Sequence, residues 1–230
     1  MLMDIFSSFD EQNGNFFDVG LPVWFSGFFV LFLFFSCYWW GSSRFDCFVD
    51  LSKSFGNEQI LRGRGSFMGG FRGVLSCLLI LLLILNLSGL IPYVFSSTSH
   101  LIVTFSLSSV FWLGLLLSSI FFDLGSFLAV LLPVGAPSVL NPFLVLVESV
   151  SLLVRPITLS VRLAANMGAG HIVLCLLGSY LSSGFFCYSN FSVFVMGLVG
   201  SFYFLFEVGI CLIQCYIFFL LINLYADEHC

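Results

Sequence analysis

The chain has 230 residues, of which 60% are hydrophobic and only 8% are charged. This composition excludes a water-soluble domain and indicates a polytopic membrane protein. The net charge of −5 gives no reason to expect a nucleic acid as partner, because half of the acidic residues lie in the two tails. The eight cysteines are scattered without a C-x-x-C spacing, so we expect apolar filling rather than disulfides or a metal site.

The first 73 residues predict an outer tail, one span and a basic inner segment. Residues 1–20 are acidic, lack Lys and Arg, and do not form a cleavable signal. Residues 21–40 form the first span, which ends in aromatic residues typical of a membrane interface. Residues 41–73 carry five of the seven basic residues, which predicts an inner-side location and places the N-terminus outside. A short interfacial helix is predicted from these apolar residues: Phe45, Phe48, Val49, Leu51 and Phe55.

The rest of the chain predicts four further membrane helices. Residues 74–91 and 101–122 form the second and third spans, and the proline-containing residues 124–142 predict an irregular connector. Two longer apolar segments follow at 143–177 and 191–225. Each has about 35 residues, or ~52 Å as a helix, against ~30 Å of hydrocarbon. They must therefore tilt or bend, helped by Pro156, and the short connector 178–190 makes them an antiparallel hairpin.

The predicted fold class is therefore an all-α polytopic membrane protein in a single membrane domain. It has about five membrane helices and an interfacial helix, and the last two membrane helices form a long, tilted hairpin.

Charged residues are rare in the spans, so each one needs an explanation. Between residues 74 and 225 the charged positions are Asp123, Glu148, Arg155, Arg162 and Glu207. One arginine at a helix centre costs roughly 2.5–3.5 kcal/mol on insertion scales, so a retained arginine needs a partner or a task. The three charges of the first long helix recur every seven residues and share one face.

An antiparallel hairpin predicts which polar residues face each other. His171 with Glu207, and Arg162 with Gln214, lie nearly equidistant from a turn near residue 188. The first pair is either a proton relay or a hydrogen-bonded pair that locks the hairpin. Arg162 cannot release a proton, so it serves as a proton barrier, an anion site or the partner of a carboxylate on another helix.

The remaining charged pair lies nearer the inner end of the first long helix. Arg155 either snorkels to an interface or pairs with Glu148. Glu148 lies ~21 Å along the axis from Arg162, where it is a plausible mouth for an aqueous inner path.

Several stretches of the chain carry recognisable motifs. Residues 148–171 read ESVSLLVRPITLSVRLAANMGAGH, and residues 207–218 read EVGICLIQCYIF. Further motifs are NLSGLIPY at residues 86–93, LPVGAP at 132–137 and IFSSFD at 5–10. Together these stretches resemble subunit a of rotary ATP synthases in its mitochondrial form. The resemblance covers nearly the whole chain in the right order and is weakest at residues 41–73.

The resemblance implies a role for six residues. Arg162 would face the carboxylate of the rotating c-ring and block a proton leak, and Asn166 would be a polar neighbour on the same face. His171 and Glu207 would form the outer half-channel, Glu148 the inner half-channel, and Gln214 would pack near Arg162.

The resemblance further implies a proton-translocating stator subunit of the mitochondrial inner membrane, with its N-terminus in the intermembrane space and its C-terminus in the matrix. The implied partners are the c-ring, peripheral-stalk and accessory membrane subunits, the lipid bilayer and protons. No cofactor or metal is implied, and the chain lacks a phosphate-binding Gly-rich Lys-Ser/Thr loop, so it is not expected to be an enzyme on its own.

Two other classes of function remain open from the residues themselves. A secondary transporter or anion channel could use Arg155 and Arg162 as a substrate site, although such transporters often contain inverted repeats and the sequence shows no internal repeat. A structural membrane scaffold could retain the polar pairs only to define its packing.

Overall fold

The computed structural model describes residues 9, 44–91, 94–130, 140–187 and 189–227. Within these ranges the chain is helical and has no β-strand. Its helices are α1 (Arg44–Leu61), α2 (Phe71–Gly89), α3 (Leu101–Phe122), α4 (Leu124–Val130), α5 (Asn141–Cys187) and α6 (Asn190–Asp227). Helices α2, α3, α5 and α6 are each long and apolar enough to cross a membrane. The all-helical class and the two long final helices are thus confirmed, while the predicted span at 21–40 lies outside the described residues.

The two final helices are longer than the sequence suggested. Helix α5 has 47 residues and α6 has 38. The predicted end of α5 at residue 177 is ten residues too early, because the helix continues as far as Cys187 through most of the predicted connector 178–190. Instead, Ser179 and Ser182 donate hydrogen bonds to carbonyls three residues earlier, at 2.8 and 2.9 Å, so their polar groups are satisfied inside the helix. Helix α5 also continues through Pro156.

Other boundaries agree or differ for identifiable reasons. Helix α3 has the predicted bounds. Helix α2 begins three residues early, directly after Gly70, whose φ of +79° lies in the left-handed region where glycine is favoured. The expectation of irregular backbone after residue 123 was wrong for Leu124–Val130, which forms α4. Residues 131–139 of that connector lie outside the described ranges.

Helix α2 occupies the interior of the helix bundle and packs against both α1 and α6. The largest buried apolar cluster joins these helices to α5; its members are Ile60, Leu75, Leu78, Leu79, Leu82, Leu159, Leu163, Cys215, Phe218, Phe219 and Ile222. Lipid tails are as apolar as these side chains, so close van der Waals packing holds such helices together. Helix α3 packs against α5 and the same cluster, and its Ser108 Oγ donates a hydrogen bond to the carbonyl of Pro156 at 3.1 Å.

Helix α1 matches the predicted interfacial segment in position. Its Phe48, Leu51 and Phe55 side chains are exposed on the surface of the chain. Contact with the bundle is made through Ile60, which is buried in the core cluster, and through Gly56, where an added Cβ would lie 3.7 Å from the Phe219 ring. The Phe55 ring also lies 5.8 Å from the Tyr216 ring of α6, whereas Phe48 and Leu51 are free to contact the membrane interface.

Two long-range contacts identify the two ends of the bundle. At one end, the backbone N–H of Gly65 donates to the Asp227 carboxylate at 3.2 Å. At the other end, the Phe9 ring meets the His171 ring edge-on, with centroids 6.2 Å apart. Glu207, beside His171 on the facing helix, and Asp227 are separated by roughly 30 Å of helix at 1.5 Å per residue.

Candidate functional site

Helices α5 and α6 meet through three successive layers of facing side chains. Gly170 lies against the Glu207 carboxyl group. One turn further along, the Cys211 thiol contacts the Met167 sulfur at 3.3 Å. In the next layer Asn166 Nδ2 donates a hydrogen bond to Gln214 Oε1 at 3.1 Å. These layers confirm the antiparallel hairpin.

The layer at Glu207 depends on the absence of a side chain at Gly170. A Cβ atom built there would overlap the Glu207 carboxyl group. Glu207 is only 2% exposed. A glycine inside a helix normally costs about 1 kcal/mol relative to alanine, so this close approach gives Gly170 a specific structural purpose.

His171 lies next to this layer without bonding to Glu207. Its ring is partly buried against Phe9, and its Nε2 atom has no hydrogen-bond partner among the described residues. Successive residues of a helix are turned by ~100°, so with Gly170 pointing at the carboxyl group, His171 points to one side of it. The predicted pair is therefore adjacent, while the group directly against Glu207 is Gly170.

Gln214 faces Asn166, so the predicted pairing of Gln214 with Arg162 was wrong. Gln214 is buried, and its side-chain oxygen is occupied by Asn166. Arg162 lies one turn earlier on α5 than Asn166 and points outward. The hairpin register predicted from the sequence agrees with the structure to within about one helical turn. Arg162 does not contact Gln214, because its side chain points outward from α5.

Arg162 and Arg155 have very different surroundings. Arg155 Nη2 lies 3.7 Å from Glu148 Oε1, and its guanidinium group stacks over the Tyr225 ring at 5.0 Å. Arg162 is exposed, and the described part of the chain offers it neither an ion pair nor a hydrogen bond. The expected pairing of Arg155 with Glu148 is present, and the two arginines do not combine into one anion site.

Arg162 lies on an exposed strip of α5 that we call the Arg162 face, made of Val161, Arg162, Ala165 and Ala169. The opposite strip is buried against the bundle; it comprises Leu159, Ser160, Leu163, Met167 and Gly170. Two of the four residues of the Arg162 face are alanines, which allow another helix to approach closely. The face therefore presents one fixed positive charge on a surface that a second helix can approach closely.

The structure also reveals polar contacts that were not assigned a role from the sequence. Asn86 of α2 is fully buried and donates from Nδ2 to the Cys215 sulfur at 3.1 Å, while its Oδ1 has no partner within the described ranges. Its position in an apolar span was the available signal, because a polar residue there is costly unless partnered. Met167 and Cys211 gave no signal, since both resemble ordinary apolar filling.

Comparison with known proteins identifies related chains along nearly the whole length. The model of the family described as ATP synthase A chain matches residues 21–227. ATP synthase subunit a of Mytilus edulis is 37% identical over 236 residues, covering 100% of this chain and 99% of that protein. The same subunit of Locusta migratoria is 36% identical, with 99% of each chain covered. That of Albinaria caerulea is 44% identical over 158 residues, or 69% of this chain and 72% of that protein.

Proposed function

The chain belongs to the ATP synthase A chain family, and we propose that it conducts protons past the rotor ring of the synthase through two offset half-channels. In this proposal proton flow and ring rotation are coupled at Arg162. The chain acts as a stator and binds no nucleotide itself. ATP forms in a separate soluble sector of the complex.

The observation that carries this proposal is the exposed Arg162 without a partner in the described part of the chain. A guanidinium group remains charged at every physiological pH, and its placement inside a membrane span is costly. A carboxylate on an adjacent rotor helix would supply the missing counter-charge. The small residues of the Arg162 face would let that helix approach, and Asn166 would support the arginine from the next turn.

The outer half-channel is proposed to end at His171 and Glu207. The support is that Glu207 is a buried carboxyl group, and that the adjacent His171 has a side-chain nitrogen with no hydrogen-bond partner in the described chain. Both side chains can accept and release protons through intervening water. A proton arriving here would pass to the rotor carboxylate beside the Arg162 face and neutralise it.

The inner half-channel is proposed to begin near Glu148. This carboxylate is partly exposed and is held by Arg155 at 3.7 Å. It lies fourteen residues before Arg162, or ~21 Å along the helix axis. His171 lies nine residues beyond Arg162, or ~13 Å in the other direction. Arg162 would thus separate two polar regions that open at different depths.

These positions support a rotary cycle. A rotor carboxylate protonated at the outer half-channel is neutral and can turn through lipid. After nearly a full turn it releases the proton at the inner half-channel, and Arg162 keeps the arriving group ionised while blocking a direct leak. Each proton crossing 100 mV supplies ~2.3 kcal/mol, which drives the ring.

The same proposal places the chain in the mitochondrial inner membrane, with its N-terminus in the intermembrane space and its C-terminus in the matrix. Supporting it are the basic residues between positions 44 and 72, which favour the inner side. Contacts at the bundle ends agree, because Phe9 lies by His171 and Asp227 lies by Gly65. The c-ring, peripheral-stalk and accessory membrane subunits are the proposed partners.

The decisive experiment is the Arg162→Ala variant of the assembled complex in vesicles. Since Arg162 is exposed and forms no ion pair or hydrogen bond within the described chain, we expect assembly to persist while proton-driven ATP synthesis and ATP-driven pumping are abolished. The matched control is Arg62→Ala, which removes an exposed arginine of the turn between α1 and α2. Normal ATP-driven proton pumping by the Arg162→Ala complex would refute the proposal.

A further inference from the structure

We propose that Met167 and Cys211 form a dry seal between the buried acid Glu207 and the amide pair beside Arg162. This inference rests on the proposed function and assigns two residues to it that carry no charge. Their layer lies between Gly170–Glu207 on one side and Asn166–Gln214 on the other. Without this layer, a proton at Glu207 in the outer half-channel could move between α5 and α6. It would then reach the turn next to Arg162 without meeting the rotor.

The seal is closed by close packing from three helices. Met167 is 2% exposed, Cys211 is 1% exposed, and both pack with the buried Leu90 that follows α2. The end of α2 lies directly over them, since a Cβ added at Gly89 would be 3.3 Å from the Met167 methyl group. Leu174 and Val208 complete the cluster.

The chemistry of the layer excludes a chain of water molecules. A buried water normally makes about three hydrogen bonds to polar groups. A thioether is only a weak acceptor and a thiol only a weak donor, and here they already contact each other. Polar groups resume only beyond the layer, at Gln214 and at the unsatisfied Asn86 oxygen, so the two sulfur groups interrupt the polar side chains between Glu207 and the Asn166–Gln214 pair.

The consequence is that the path from Glu207 must leave the hairpin sideways. With the interior closed at Met167 and Cys211, the proton passes to the exposed surface of α5 where the Arg162 face begins. The seal thus complements Arg162: the arginine blocks the route along the rotor face, and the sulfur layer blocks the route between the helices.

The test measures proton leak in complexes whose ring is blocked. The reconstituted synthase is treated with dicyclohexylcarbodiimide, which caps the rotor carboxylate, and proton uptake under an imposed potential is followed with a pH-sensitive dye. Met167→Gln keeps the length of the side chain but adds an amide. We expect a residual leak at least several-fold above that of Met167→Leu, which keeps the layer apolar.

A second substitution keeps the proposal testable if Met167→Gln fails to assemble. Cys211→Ser replaces sulfur by a hydroxyl oxygen with little change of shape, and its control is Cys175→Ser at an exposed cysteine of α5. A blocked-ring leak in Cys211→Ser but not in Cys175→Ser supports the seal. Equal leak in each variant and its control overturns it, whereas native complexes without any carbodiimide-sensitive flux would instead overturn the proposed function.

Discussion

At the scale of single residues, the environment of each polar side chain separates structural from functional candidates. Arg155 has its charge compensated inside the chain by Glu148 and by the Tyr225 ring. Arg162 carries the same charge and has no such compensation in the described residues. Arg155 therefore stabilises the chain itself, whereas we place the counter-charge of Arg162 on the rotor.

Gly170→Ala is predicted to impair proton delivery. The new methyl group would overlap the Glu207 carboxyl group, so the carboxyl group or the helix must shift. A misplacement of ~1 Å can reduce a rate by roughly a hundredfold, so we expect a loss of about that size. The measurement is proton-driven ATP synthesis by the reconstituted complex.

The control for this substitution is Gly178→Ala on the same helix. Gly178 is exposed, and an added Cβ meets nothing within 4 Å in the chain, so we expect native rates. Equal activity of the two alanine variants would show that the close approach at Gly170 does not matter for delivery.

At the scale of helices, polar contacts connect elements that apolar packing alone orients weakly. Ser108 of α3 reaches the Pro156 carbonyl of α5, and Asn86 of α2 reaches Cys215 of α6. Interhelical hydrogen bonds in membranes contribute about 0.6 kcal/mol on average and reach ~1.7 kcal/mol. Such contacts therefore select one rotation of each helix while adding modestly to stability.

Ser108→Ala is predicted to loosen α3 from α5. The substitution leaves the Pro156 carbonyl without its interhelical donor, and we expect a loss of about 0.5–1.5 kcal/mol. The measurement is the midpoint of unfolding of the purified complex in increasing mole fractions of sodium dodecyl sulfate. Ser106→Ala is the matched control, because the exposed Ser106 hydroxyl donates only to the Val103 carbonyl of its own helix. A shared midpoint for both variants would contradict the assignment.

At the scale of the whole molecule, the chain exposes much apolar surface together with Arg162, whose charge has no ion pair among the described residues. The outer residues of α6 include the large exposed side chains Phe194, Leu198, Phe202 and Leu205. This surface needs lipid or other subunits as neighbours, in keeping with a component of a larger membrane complex. The Arg162 face is the part of the surface for which we propose a specific neighbour.

A photoreactive amino acid at Ala165 is predicted to crosslink to the rotor ring. Ala165 lies on the Arg162 face one turn from the arginine, where we place the passing rotor helices. The control position is Val110, which is 66% exposed on α3. Crosslinked products are identified by mass spectrometry of the irradiated complex. Ring adducts from Val110 but none from Ala165 would place the rotor on another side of the chain.

The sequence by itself determined the class of protein, the approximate positions of the four membrane-length helices between residues 71 and 227, and the residues that require explanation. It could do so because a bilayer imposes a large cost on every charge, so long stretches without charged residues mark the segments that lie in the membrane. The antiparallel packing of the two long helices could also be predicted from the sequence, because a short connector forces an antiparallel pair.

Only the tertiary structure decided which side chains meet. Whether Asn166 or Arg162 faces Gln214, and whether Gly170 or His171 touches Glu207, depends on rotations of less than one helical turn. Those rotations result from contacts with α2 and α3, far away in sequence, at residues such as Asn86 and Ser108. The pattern of apolar residues does not predict these helix rotations. Lipid and the protein interior are equally apolar, so the lipid-facing and buried faces of a membrane helix have similar compositions.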